Sequence, residues 1–171
     1  LQHLASEFGA APLAAGLKAI IETAGVEFRA ALASLPDGVQ EAESYLDSDG
    51  IDRDKPVRLH VRITVAKGEV DFDFTSCDPQ GRGPVNIRAA LVEACCFQAL
   101  IGMVDPDLRY SDAARDAIQI HTMPGTLVHP HPPAPCSSYM KTCMTVIDML
   151  LEALGPFVPE RAAAYSGGSG G

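Results

Sequence analysis

Positive charge is scarce in this chain. Thirteen Lys and Arg stand against 22 Asp and Glu, for a net charge of −9 and an isoelectric point near 4.9. With no basic patch, a nucleic-acid or anionic-membrane partner is disfavoured, and plain solubility is the simpler account of the acidity. Long apolar runs are also missing. The longest, Ala89 to Val104, is too short for a membrane span and is interrupted by Glu93 and Gln98. Leu1 to Phe8 is amphipathic and carries no basic stretch of the kind a secretory signal opens with. The cysteines number five, an odd count without framework spacing, so reduced thiols in a cytoplasmic protein are expected. Neither a phosphate-cradling Gly-Lys-Ser/Thr loop nor a dinucleotide fingerprint occurs, and Gly168-Ser-Gly-Gly lacks the lysine and a following helix. That argues against ATP binding by this chain alone. No internal repeat is present.

What is there is a globular composition: 171 residues, 47% hydrophobic and 20% charged, enough for one domain with a real core. The domain is expected over residues 1–165, with Ser166 to Gly171 a Gly/Ser-rich tail or linker. The chain begins at Leu1 without Met, and both ends read as cuts in something longer.

Leu13, Leu17, Ile20, Ile21, Ala24, Phe28, Leu32 and Leu35 recur at helical spacing, with Pro12 in the first turn and Pro36-Asp37-Gly38 as the stop. A shorter helix over Leu1 to Phe8 precedes it. Val39 to Leu46 reads as a strand. It runs into an acidic turn, Asp47-Ser-Asp-Gly-Ile-Asp-Arg-Asp54, whose spacing is not that of a calcium loop; a solvated turn is preferred to a cation site.

The clearest local structure is a hairpin. Val57, Leu59, Val61, Ile63 and Val65 alternate with Arg58, His60, Arg62 and Thr64, and Val70, Phe72 and Phe74 alternate with Glu69, Asp71 and Asp73. Lys67-Gly68 makes the turn. That register sets Val65 opposite Val70, Ile63 opposite Phe72, Val61 opposite Phe74 and Arg62 across from Asp73. His60 is expected to be a solvated strand histidine. A buried helix follows from Asn86 or Ile87 to Val104, on a stripe of Val92, Cys95, Cys96, Ala99 and Met103. Ala117 to Met123 reads as a strand that exposes His121. His129-Pro-His-Pro-Pro-Ala-Pro135 must be extended. A last helix runs from Ser137 or Ser138 to Leu154, stopped by Gly155-Pro156, with Met140, Met144, Ile147 and Leu151 as a core or partner-facing stripe. The fold class is α+β: a small, largely antiparallel sheet (hairpin 57–65/69–75, strands near 39–46 and 117–123) packed with long apolar helices.

The best candidate for a site is the loop that follows the second strand of the hairpin. Pro79-Gln-Gly-Arg-Gly-Pro84 spends two Pro and two Gly in six residues, which fixes a loop in one shape. Three residues in and beside it carry chemistry. Arg82 can hold a carboxylate or phosphate bidentately, or pair with a nearby acid. Asp78 can orient an amide or a water, or turn the chain ahead of Pro79. Asn86 can touch a ligand or cap the next helix. Cys77 lacks a Cys-His motif, so a nucleophilic role is disfavoured. A zinc site from His129, His131, Cys136 and Cys143 has no recognised spacing, and core or loop roles are preferred. No residue is singled out as catalytic, and no metal site is assigned.

Several blocks then resemble a known family in order. They are Leu35 to Gly50 (Leu-Pro-Asp-Gly-Val-Gln-Glu-Ala-Glu-Ser-Tyr-Leu-Asp-Ser-Asp-Gly), Val57 to Val65, Asp73 to Asn86 (Asp-Phe-Thr-Ser-Cys-Asp-Pro-Gln-Gly-Arg-Gly-Pro-Val-Asn), His129-Pro-His-Pro-Pro133 and Ser166-Gly-Gly168. Together they resemble the hydantoinase B/5-oxoprolinase family of B-type subunits and the related alpha-type subunits of acetone and acetophenone carboxylases. The resemblance covers essentially the whole chain as an interior segment. It departs from the family pattern at Cys77, where a Thr-Gly-Thr-Asp-Pro form of the loop places Gly.

The resemblance implies ATP-dependent opening of cyclic amides of the hydantoin or 5-oxoproline type, with an A-type subunit that uses the ATP. The alternative it allows is ATP-dependent carboxylation of a ketone. It also implies a divalent metal for the complete enzyme, with metal-binding residues that nothing in this segment matches, and a hetero-oligomer acting on a small molecule. A third expectation is a structural or interaction module that is inactive in isolation.

Overall fold

The computed structural model describes residues 1–162. The expected tail, 166–171, and the last three residues of the expected domain lie outside them. Helices α1 (Gln2–Phe8) and α2 (Ala10–Leu32) are followed by strands β1 (Gly38–Leu46), β2 (Val57–Ala66) and β3 (Glu69–Asp73). Helices α3 (Ala89–Met103) and α4 (Asp112–Arg115), strand β4 (Ile118–His121) and helix α5 (Tyr139–Leu154) complete the order. The fold is α+β, as the sequence implies.

The four strands lie in the order β1-β2-β3-β4. The first two pairings are antiparallel and the third, β3 with β4, is parallel, so the sheet is mixed. The hairpin has the expected register: Val65 faces Val70, Ile63 faces Phe72 and Arg62 faces Asp73. Its ladder stops there, one pair short of Val61 and Phe74; the next N–H, that of Thr75, goes to Asp73 Oδ1 at 2.8 Å instead of to β2. Both turn residues have positive φ, Lys67 at 53° and Gly68 at 79°, the twist a two-residue hairpin needs.

One sheet face is apolar and covered. Leu59, Val61, Ile63, Phe72 and Phe74 are fully buried, each worth about 1.5–3 kcal/mol of burial. Helix α5 lies across β1 and β2, and α3 packs against α5. The α3 stripe of Val92, Cys95, Cys96, Ala99 and Met103 is buried as expected. On α5 the buried face is instead Thr142, Val146, Met149, Leu150 and Ala153; Met140 is exposed, and Met144, Ile147 and Leu151 are only half-buried at its edge.

Helix α2 forms where the helical spacing places it, but it is covered along only part of its length. Only Ala24, Gly25, Phe28 and Leu32 are buried, where the C-terminal half packs on α4 and reaches β3. Leu17, Ile20 and Ile21 belong to the same apolar seam but are exposed. Among the described residues no single helix is long and apolar enough to cross a membrane; α1 and α2 pass that test only as a pair bent by 112°.

Candidate functional site

Two loops close on each other at the end of the sheet where β2 begins. One is the acidic turn 47–54 and the other the Pro/Gly loop 75–86. Between them lies a cleft of about 360 Å³ lined by Asp52, Lys55, Asp78, Gln80 and Arg82, with Asp49 at its base.

The acidic turn is not simply solvated. Asp49 is 4% exposed. Its Oδ1 accepts the N–H of Ile51 and of Asp52, each at 2.8 Å, and its Oδ2 accepts the N–H of Gly83 at 3.0 Å. A buried carboxylate needs such partners. The Asp52 N–H above all, then that of Ile51, hold its pKa down at about 2, with Gly83 adding to them against the opposing effect of burial. Gly83 must be glycine, since a Cβ there would lie 1.6 Å from the Asp49 carbonyl oxygen.

The three candidate residues take three different positions. Asp78 lines the cleft, and its Oδ2 accepts the N–H of Arg58 at 2.9 Å while its own N–H donates to the Arg58 carbonyl at 3.0 Å. It therefore pairs with the start of β2 rather than only turning the chain. Arg82 reaches into solvent at the cleft mouth, its side chain 76% exposed, with Nη1 3.7 Å from Asp52 Oδ1. This ion pair is loose, and an exposed pair of that kind is worth little. Asn86 is fully buried and neither lines the cleft nor caps α3, whose N-cap is Arg88. Its Oδ1 accepts the Gly81 N–H, and its Nδ2 donates to the carbonyls of Gly81, Gly83 and Pro135. The capping expectation for Asn86 is corrected, since Arg88 stands at the N-cap of α3; the Asn86 side chain is an internal clamp.

The segment 123–138 braces the loop from behind. Gln80 donates its N–H to the Gly125 carbonyl and accepts the His131 N–H on Oε1 at 2.7 Å. Leu127 donates to the Asp78 carbonyl and Ile87 to the Leu127 carbonyl. Ser138, the N-cap of α5, makes no side-chain cap; its N–H goes to the Pro84 carbonyl instead. Thr142 Oγ1 donates to the Val85 carbonyl at 2.6 Å. The His-Pro segment thus serves as a strut.

Past β3 the chain runs along the start of β2. There Cys77 Sγ and the His60 backbone exchange hydrogen bonds of 3.3 and 3.4 Å. Burial pushes the Cys77 thiol up to about 11, which removes the thiolate a nucleophile needs. His60 is not solvated: its side chain is 14% exposed, Nε2 stands 3.6 Å from Glu41, and Nδ1 is buried without a partner. His121 is exposed as expected, and Nε2 lies 2.6 Å from Asp71 Oδ2. His129 Nδ1 bonds Thr122 Oγ1 at 2.9 Å. Among the described residues no three His, Cys, Asp or Glu side chains come together to hold a metal ion.

The model of the hydantoinase B/oxoprolinase family matches residues 1–170. The chain belongs to that family. A putative B-type subunit of a D-/L-hydantoinase from a Pseudomonas species is 29% identical over 150 residues, covering 81% of this chain and 25% of that protein. An ATP-dependent caprolactamase from Pseudomonas jessenii superposes with a TM-score of 0.79 at 20% identity, covering 93% of this chain and 28% of that one. A nucleotide-free acetone carboxylase superposes with a TM-score of 0.82 at 15% identity, covering 94% of this chain and 23% of that one. These two likenesses establish the fold. The chain spans about a quarter of the length of these three relatives.

Proposed function

We propose that this chain is a segment of a B-type subunit in an ATP-dependent enzyme that opens cyclic amides of the hydantoin or 5-oxoproline type. An A-type partner subunit uses the ATP, and the two form a cytoplasmic hetero-oligomer. The match to the hydantoinase B/oxoprolinase family over residues 1–170 carries this reading. The cleft adds chemistry to it. A cyclic amide presents an N–H donor and a C=O acceptor on one edge of the ring. The cleft offers an acceptor in Asp78, whose Oδ2 is engaged by Arg58 but whose Oδ1 has further capacity, and donors in Arg82 and Lys55. Arg82 faces the developing charge on the amide oxygen, where a guanidinium is worth most. Asn86 acts from beneath by holding the loop.

A second reading is favoured by the fold shared with acetone carboxylase. In it the same cleft serves a ketone carboxylase, with Arg82 holding a carboxylate-like group. The 171-residue chain alone is expected to be inactive under either reading.

The test uses the full-length subunit co-expressed with its A-type partner. ADP or AMP release is followed with hydantoin and 5-oxoproline, and separately with acetone or acetophenone plus bicarbonate. Ring-opened product supports the hydrolase; carboxylated product establishes the second reading. Arg82→Ala is expected to lower kcat/KM about tenfold or more, the loss of one charge-assisted hydrogen bond. A wild-type rate removes the cleft from the site.

A further inference from the structure

We propose that Asp49 is a positioning residue that fixes Arg82 and Asp52 on opposite walls of the cleft. The inference rests on the reading of that cleft as a substrate site.

The two oxygens of Asp49 divide the work. Oδ1 takes the N–H groups of Ile51 and Asp52 and so sets the acidic wall; Oδ2 takes the N–H of Gly83 and so sets the wall that carries Arg82. Both glycines flanking Arg82 sit against the same residue. A Cβ on Gly81 would meet Asp49 Cβ at 3.0 Å, and one on Gly83 would meet the Asp49 carbonyl oxygen at 1.6 Å. Arg82 is therefore held at the backbone on either side, at Gly83 by Asp49 Oδ2 and at Gly81 by the Asn86 amide, while its side chain is 76% exposed with Asp52 as its ion-pair partner. A long exposed side chain loses much rotamer freedom when it binds. A fixed backbone origin reduces the space it must search, which is preorganisation of the cation and its counter-acid by one carboxylate.

Asp49→Asn separates the two tasks. Its amide oxygen stays on the two turn N–H groups, because that keeps two hydrogen bonds rather than one. The NH₂ then faces the Gly83 N–H, donor against donor. In the full-length subunit with its partner, hydrogen exchange at the Gly83 amide should rise while the Ile51 and Asp52 amides stay protected. With hydantoin and 5-oxoproline as probes, kcat/KM should fall about tenfold, carried by KM. The double variant Asp49→Asn/Arg82→Ala should be no worse than Arg82→Ala alone, since Asp49 acts through Arg82.

Wild-type kinetics in Asp49→Asn, or a double variant that loses both factors in full, overturns the proposal. If Arg82→Ala itself keeps the wild-type rate, the cleft assignment has failed and the proposal falls with it. If Arg82→Ala is impaired and Asp49→Asn is not, only the role of Asp49 has failed. Should Asp49→Asn not fold, hydrogen exchange of the wild-type subunit is the second measurement. The Gly83 amide should be protected together with those of Ile51 and Asp52, the three donors to Asp49. A freely exchanging Gly83 amide overturns the proposal equally.

Discussion

The Asn86 side-chain amide donates to the Pro135 carbonyl at 2.9 Å, bridging 49 residues of sequence. The same side chain closes on Gly81 and Gly83, so it joins the Pro/Gly loop to the strut ahead of α5. Asn86→Ala would leave one N–H and three carbonyls short of a partner in a closed interior. The expected cost is about 3–5 kcal/mol, within reach of the whole stability of a small domain. Urea unfolding of the chain measures it, and a loss below about 1 kcal/mol contradicts the clamp.

Thr142 ties the same loop to α5. Its hydroxyl is buried and donates to the Val85 carbonyl at 2.6 Å. Thr142→Val keeps the shape and strands that carbonyl. A loss of about 1–3 kcal/mol is expected in the same unfolding assay, and a neutral result would show that Val85 finds another donor.

The two halves of α2 should respond differently to mutation. Phe28 is fully buried against the core and packs at a tilt of 49° on Phe97 with ring centroids 5.5 Å apart, so Phe28→Ala should cost about 3–5 kcal/mol. Ile20 is 58% exposed, so Ile20→Glu should shift the stability of this chain by no more than about 0.5 kcal/mol. Thermal or urea denaturation of both variants decides it, and equal losses would mean the apolar seam is covered along its length.

This split shows what was legible in the sequence and what was not. Periodicity identifies which face of α2 is apolar, yet it cannot say how far along the helix a neighbour extends. The hairpin was readable because its register follows from a period of two and a two-residue turn, both local. The direction of β4 was not, since a parallel partner arrives through a long crossover. At the site, Asp78 and Arg82 were visible as charged residues in a rigid loop. Asn86 looked equally functional there, and only its non-local partner Pro135 reveals the clamp. Asp49 was hidden among four aspartates because its distinguishing partner, Gly83, lies 34 residues on. The pair of glycines around Arg82 was the available signal: a backbone free of Cβ on both sides of an arginine implies something packed closely against it.

Cys77 should be chemically quiet. Burial pushes its thiol up to about 11, and its sulfur is engaged by the His60 backbone. Iodoacetamide at pH 8 followed by peptide mapping should modify the half-buried Cys136 well before Cys77 in the native chain, with Cys77 reacting on unfolding. In the full-length enzyme, Cys77→Ser should retain turnover within about twofold, since no thiolate is available to lose. A complete loss of activity with intact folding would make Cys77 a participant.

The acid limb of stability should carry the signature of Asp49. Its carboxyl has a folded pKa of about 2 against an ordinary value of 3.8, so folding favours the charged form. A group of this sign contributes its full share above the unfolded value and loses it as pH falls through the folded one. Wild type and Asp49→Asn should therefore differ by a constant stability increment above about pH 4, and the difference should shrink toward pH 2 as the wild-type carboxylate takes up its proton. Urea midpoints of both proteins across that range give the answer directly. A gap that persists undiminished at pH 2 would mean that shape at position 49, rather than charge, holds the two loops together, and the division of labour between Oδ1 and Oδ2 would then have to be abandoned.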